Sequence, residues 1–145
     1  MTTQVFDVPA AGGTGWLVFV LLMPLALVVV LAAVFWPRPL QVEVTPDAVT
    51  IRGSIYGRSV PRSELKLDRA RVVDLEREPG LKPRLRTNGV GLPNYRVGWF
   101  RLRDRERALC FLTATDRVVY LPTKQDYALL LSAENPAALL DALRN

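Results

Sequence analysis

Histidine is missing from the 145 residues, and cysteine occurs once. The first absence removes the Ser-His and Cys-His pairs that activate most enzymatic nucleophiles, together with every imidazole metal site. The second excludes a disulfide framework and leaves no thiolate pair for zinc. Charge is missing from one part of the chain only. Residues 1–37 hold no lysine or arginine and a single acid, Asp7, so residues 38–145 carry all 19 basic side chains against 13 acids, an excess of six. With 50% hydrophobic and 23% charged residues, the chain suits one modest domain plus an appendage and argues against disorder.

The appendage is an uncharged run. From Gly15 to Trp36, 22 residues pass without a charge, an amide or a hydroxyl. At ~1.5 Å per residue a helix of this length covers roughly 33 Å, just over the ~30 Å hydrocarbon core of a bilayer. Six Leu, six Val and two Phe favour insertion, each by about 0.3 to 0.6 kcal/mol near the helix centre. Trp16 and Trp36 stand at the two ends, where an indole keeps its ring in the interface and its N–H among headgroups. A buried helix of a soluble fold rarely stays wholly apolar for so long. A cleaved signal peptide needs a basic start and a shorter apolar stretch, and residues 2–14 contain no lysine or arginine. Pro24 removes one backbone donor mid-span, which membrane helices tolerate by kinking. The flanks set the expected orientation. Arg38, Arg52, Arg58 and Arg62 follow the span and no cation precedes it, so the positive-inside bias puts the N-terminus outside and the C-terminal domain in the cytoplasm of a cell inner (plasma) membrane.

After the span the hydrophobic period changes to two. Pro37-Arg38-Pro39 is the whole linker, and in an extended conformation it reaches only about 9 Å, which predicts a domain held near the headgroups. Leu40, Val42 and Val44 alternate with polar residues, Thr45-Pro46-Asp47-Ala48 reads as a turn, and Val49 to Arg52 answers as the antiparallel partner. After turn signals at Gly53-Ser54 and Tyr56-Gly57, Arg58 to Pro61 resumes an extended path. Further strands are expected at Ala70–Leu75, Val97–Arg103, Ala108–Thr113, Val118–Pro122 and Tyr127–Ser132, about seven in all. Whether residues 82–96 form an ordered insertion or a mobile loop stays open. At the end the period changes again: Asn135 is a good N-cap, Pro136 suits the first helical position, and Leu139, Leu140 and Leu143 share one face of a short helix. The chain thus reads as a tail, 1–14; a transmembrane helix, 15–36; a linker, 37–39; and a β-rich domain, 40–145.

This order of short strands with a terminal helix, with the stretches Ile51 to Pro61 and Arg86 to Phe100, resembles the bacterial pleckstrin-homology-like (PH-like) membrane proteins. The resemblance covers about residues 40–144, and it implies a seven-stranded, strongly bent barrel closed at one end by the C-terminal helix. Asn94 departs from the glycine expected after Pro93, but asparagine also reaches the left-handed conformation that such a turn requires. Many eukaryotic PH domains hold inositol phosphate with basic residues around the first hairpin. Here that turn is short and acidic, so no specific phosphoinositide is expected.

No catalytic, cofactor or metal site emerges. Cys110 sits in an apolar stretch and reads as a core thiol. Gly89 to Asn94 lacks the third glycine of a dinucleotide fingerprint and reads as a structural turn. Asp74, Glu76 and Glu78 read as one solvated strand face. The basic segment is more informative: Arg101, Arg103, Arg105 and Arg107 alternate as though along one extended path, which would put four guanidinium groups on one face. Such a face either meets anionic headgroups, at about 1 kcal/mol per residue, or is simply solvated beside Asp104 and Glu106. Nucleic acid fits poorly, because at least one of Trp99 and Phe100 must face the core. The expected function is therefore a non-enzymatic, single-pass membrane module that binds a protein partner or copies of itself, with sensing of anionic lipid as the alternative.

Overall fold

The computed structural model describes residues 15–35 and 39–145. The chain divides into two compact units, one ending at Pro37 and the next beginning at Arg38. In the first unit the described residues form one helix, α1 (Gly15–Phe35), which runs for 21 residues through Pro24. It is long and apolar enough to cross a membrane, and none of the span is buried. A helix of this composition satisfies its backbone internally and suits an apolar solvent, which fits a membrane anchor. Trp16 lies in its first turn and is exposed; Trp36, the second expected interface anchor, lies outside the described residues.

The second unit contains nine strands among the described residues: β1 (Gln41–Val44), β2 (Ala48–Arg52), β3 (Ser59–Pro61), β4 (Arg71–Val73), β5 (Pro83–Leu92), β6 (Tyr95–Leu102), β7 (Arg107–Leu112), β8 (Val118–Pro122) and β9 (Tyr127–Ser132), followed by helix α2 (Pro136–Arg144). The mainly β architecture with a terminal helix is the expected one. The strand number and closure differ from the expectation: the strands form a three-stranded sheet, β1-β2-β3, and a six-stranded sheet, β4-β8-β9-β7-β6-β5, both bent and neither closed into a barrel. All pairings are antiparallel except β7 with β9. The segment 82–96 is ordered as β5 and its turn into β6. Gly89 to Leu92 therefore belongs to a strand and only Pro93-Asn94 turns, with Asn94 at φ 59° as the resemblance required.

Alternation explains the core. In the six-stranded sheet Val97, Leu109, Phe111, Val119, Leu121, Leu129 and Leu131 point to one face, where they join Val49, Ile51 and Val60 of the small sheet and Leu140 and Leu143 of α2. Their sequence neighbours Phe100, Leu102, Ala108, Cys110, Leu112, Val118 and Leu130 point to the other face and are covered by Val73, Leu75 and Leu81. A strand buried on both faces needs an uninterrupted apolar run, and β9, central in its sheet, supplies one in Ala128-Leu129-Leu130-Leu131. The Asn135 side chain accepts a bond from Ala138 N–H at 3.1 Å, capping α2. At the other end Arg62 donates to the carbonyls of Ala142 and Leu143, and Arg144 donates to that of Ala70 at 2.9 Å. Arg62 thereby satisfies carbonyls left free by the last turn, and Arg144 ties the helix end to the residue before β4.

Candidate functional site

The four alternating arginines do not share one strand. The chain reverses between β6 and β7, so Arg101 and Arg107 face each other directly across the ladder while Arg103 and Arg105 occupy the connecting turn. Asp104 causes the reversal: its carboxylate accepts from Glu106 N–H at 3.0 Å, an Asx turn, while Arg105 N–H donates to Leu102 C=O at 3.0 Å and Arg105 takes φ 74°. Two further backbone bonds, Arg103 N–H to Lys82 C=O and Asp104 N–H to Gly80 C=O, fasten the turn to the segment before β5. The expectation of one extended face is corrected accordingly, because a local carboxylate turn overrides the period-two pattern.

Like charges placed opposite one another repel. Arg107 relieves this by lying over the Trp99 ring, 4.8 Å from its centroid, and Arg58 approaches the same ring at 5.5 Å. Trp99 in turn meets Tyr127 edge-on, with centroids 5.1 Å apart. Arg107 is thus engaged by the protein. Arg103 and Arg105 are exposed and make no ion pair among the described residues.

Glu106 closes the hairpin differently. The Tyr120 hydroxyl donates to its carboxylate at 2.9 Å, and burial, outweighing that bond, holds the Glu106 carboxyl above its ordinary value. Burial and the same carboxylate push the Tyr120 phenol up to about 12. Burial also pushes the Cys110 thiol up, leaving it protonated and inert, as expected of a core thiol. Asp74, Glu76 and Glu78 lie in the turn after β4, not on a strand face, and each meets a different cation: Arg77, Lys82 and Arg71.

The feature missed by the sequence reading is β5. It is ten residues long, stands at the edge of the large sheet, and pairs with β6 alone. Its pairing to Arg101, Trp99, Val97 and Tyr95 puts Leu85, Asn88, Val90 and Leu92 on one face. There Leu85, Val90 and Leu92 are exposed, and Ile55, in the turn between β2 and β3, is 90% exposed. Tyr56, next to Ile55, donates its hydroxyl to Asn88 Oδ1 at 3.0 Å, which brings that turn alongside β5. Two register shifts, after Pro83 and after Arg86, give β5 one extra residue each; Thr87, at the second, donates its hydroxyl to Trp99 C=O at 3.1 Å. The strand carries Arg84 and Arg86 and no acid.

An exposed strand edge with an apolar flank and a positive charge is suited to binding an extended chain, and it offers no nucleophile or base. A family model described as Bacterial PH domain matches residues 40–145. No curated protein and no solved structure matches the chain. With the match running from just before β1 to the last residue, the chain belongs to the bacterial PH domain family.

Proposed function

We propose that the chain is a membrane-anchored, non-enzymatic PH-domain module that docks an extended, acidic segment of a protein partner along the outer edge of β5. The unpaired edge of β5 carries this reading. An open row of backbone N–H and C=O groups adds a strand readily, and side chains at alternate positions select it. The exposed Leu85, Val90 and Leu92 supply apolar contacts, and Arg84 and Arg86 favour an acidic strand. The excess of six positive charges after Pro37 disfavours a second copy as the occupant. In this reading α1 holds the module in the cell's inner membrane, and the charge bias of its flanks supports a cytoplasmic domain.

The test is photocrosslinking in native membranes from the full chain carrying benzoylphenylalanine at Val90, with Gln125 as the control position. The expected result is one adduct from Val90, of a mass other than twice the 16.2 kDa chain, and none from Gln125. Equal labelling from both positions, no adduct, or only a dimer-sized adduct overturns it. A second reading, contact of the β6–β7 turn with anionic lipid, draws on the unpaired Arg103 and Arg105. It predicts that a dye on the Arg105→Cys variant responds to phosphatidylglycerol in nanodiscs and loses that response in high salt; an unchanged signal dismisses it.

A further inference from the structure

A second cluster of cations lies in a cleft that shares only Arg84 with the edge-docking surface. Between the 75–84 segment, the β5–β6 turn and the end of β7 is a cleft of about 580 Å³ bordered by Lys82, Arg84, Arg96 and Arg103. Its size falls among ordinary small-molecule sites, which span about 300–1,000 Å³. Lys82 is paired with Glu76, the one carboxylate on the lining. Arg84, Arg96 and Arg103 have neither an ion-pair partner nor a side-chain hydrogen bond among the described residues, and Arg96 is half-buried.

Three unpaired guanidinium groups gathered at one cavity repel each other, and a partly buried charge without a partner is costly. Such an arrangement persists at lowest cost when an anion enters. The backbone also aims these side chains. Arg84 falls in the register shift between Pro83 and Leu85, a bulge that turns one side chain out of the strand's alternation. Arg103 is held beside Lys82 by its own N–H bond to the Lys82 carbonyl, and Arg84 and Arg103 together flank a second, shallower depression. Pro93 and Tyr95 give the cleft an apolar wall, and Leu75 and Leu112 lie beneath it in the core. No residue of β1, β2 or their turn lines it, so it is separate from the first-hairpin region.

We propose that this cleft binds a phosphoryl group, with Arg84, Arg96 and Arg103 as its ligands and the Pro93–Tyr95 wall receiving the apolar part of the molecule that carries it. A phosphoryl group presents three acceptor oxygens and up to two negative charges, which matches three forked donors better than a carboxylate does. The molecule is either soluble or a lipid headgroup, and one readout separates the two.

The full chain is placed in nanodiscs and the arginine Nε–H NMR signals are followed. In discs of neutral phosphatidylcholine, pyrophosphate is titrated; in a second series the discs contain phosphatidic acid and no pyrophosphate is added. Saturable shifts of Arg84, Arg96 and Arg103 in the first series assign a soluble ligand, and shifts of the same signals only in the second assign a headgroup. In whichever series responds, Arg96→Gln weakens binding about tenfold or more, as loss of a charged hydrogen bond requires. Arg96→Lys recovers part of it, and Arg52→Gln, on the small sheet, changes nothing. Unchanged unfolding temperatures show that the variants fold. The proposal is overturned if neither series shifts these signals, or if Arg96→Gln binds as tightly as the parent.

Discussion

Glu106 and Tyr120 are the pair whose titration reports on the β6–β7 hairpin. Because burial holds the Glu106 carboxyl above 4.5, the folded chain keeps its proton more tightly than the unfolded chain does. The corresponding stability is present below the unfolded value and is lost as pH rises through the folded one. Glu106→Gln removes that loss, so its unfolding temperature, measured against the parent, rises as the pH is raised through the carboxyl's titration. Tyr120→Phe deletes the bond that lowers the carboxyl and moves its titration further up, which carbon NMR of the Glu106 side chain reads directly. A backbone constraint gives a larger effect. Gly98 has φ 120°, and a Cβ there would lie 2.5 Å from Asn88 O and 2.6 Å from Gly89 Cα, backbone atoms of the adjoining strand. Gly98→Ala is expected to cost at least about 2–3 kcal/mol in denaturant unfolding, from strained φ and forced separation of β5 from β6. A loss under half of that would mean that β5 is not seated this closely.

The strands differ in how plainly residues announce them, and the reason is burial. β8 and β9 fall where their apolar runs put them, Val118–Pro122 and Tyr127–Ser132, because burial on both faces of the sheet demands such runs. β5 reads Pro-Arg-Leu-Arg-Thr-Asn-Gly-Val-Gly-Leu, with two glycines, a proline and eight of its ten residues exposed, so it has no period to detect. Its strand conformation comes from pairing with β6, a non-local cause. The arginine hairpin shows the opposite failure: Arg-x-Arg-x-Arg-x-Arg imitates a strand face, and one Asx turn at Asp104 breaks it. Since Arg103 lands in that turn beside Lys82, the cationic cleft was legible only as a local excess of charge. Helix α2 was fully legible, from its cap to its apolar face. Leu143→Ala, at a site with no exposure, is expected to destabilise by about 2–5 kcal/mol, and Asn135→Ala by about 1 kcal/mol. Comparable small losses from both substitutions would show that α2 does not fill the core.

At the scale of the whole molecule the decisive feature is the division between a unit without basic residues that holds the apolar helix α1 and a basic β-rich PH domain. If α1 spans the membrane as proposed, a binding surface on the domain need not provide membrane residence as well, which leaves the proposed β5 edge and cationic cleft to select a ligand. The proposed orientation rests on arginine placement, and a reporter pair at the C-terminus tests it: a cytoplasmic fluorescent protein is expected to light and an exported phosphatase to stay silent, the reverse meaning that the domain faces outward. The account rests most heavily on α1 as a true span. Washing membranes that contain the full-length chain with alkaline carbonate tests this directly. The account predicts that the intact 16.2 kDa polypeptide stays in the pellet; its release into the supernatant would contradict it.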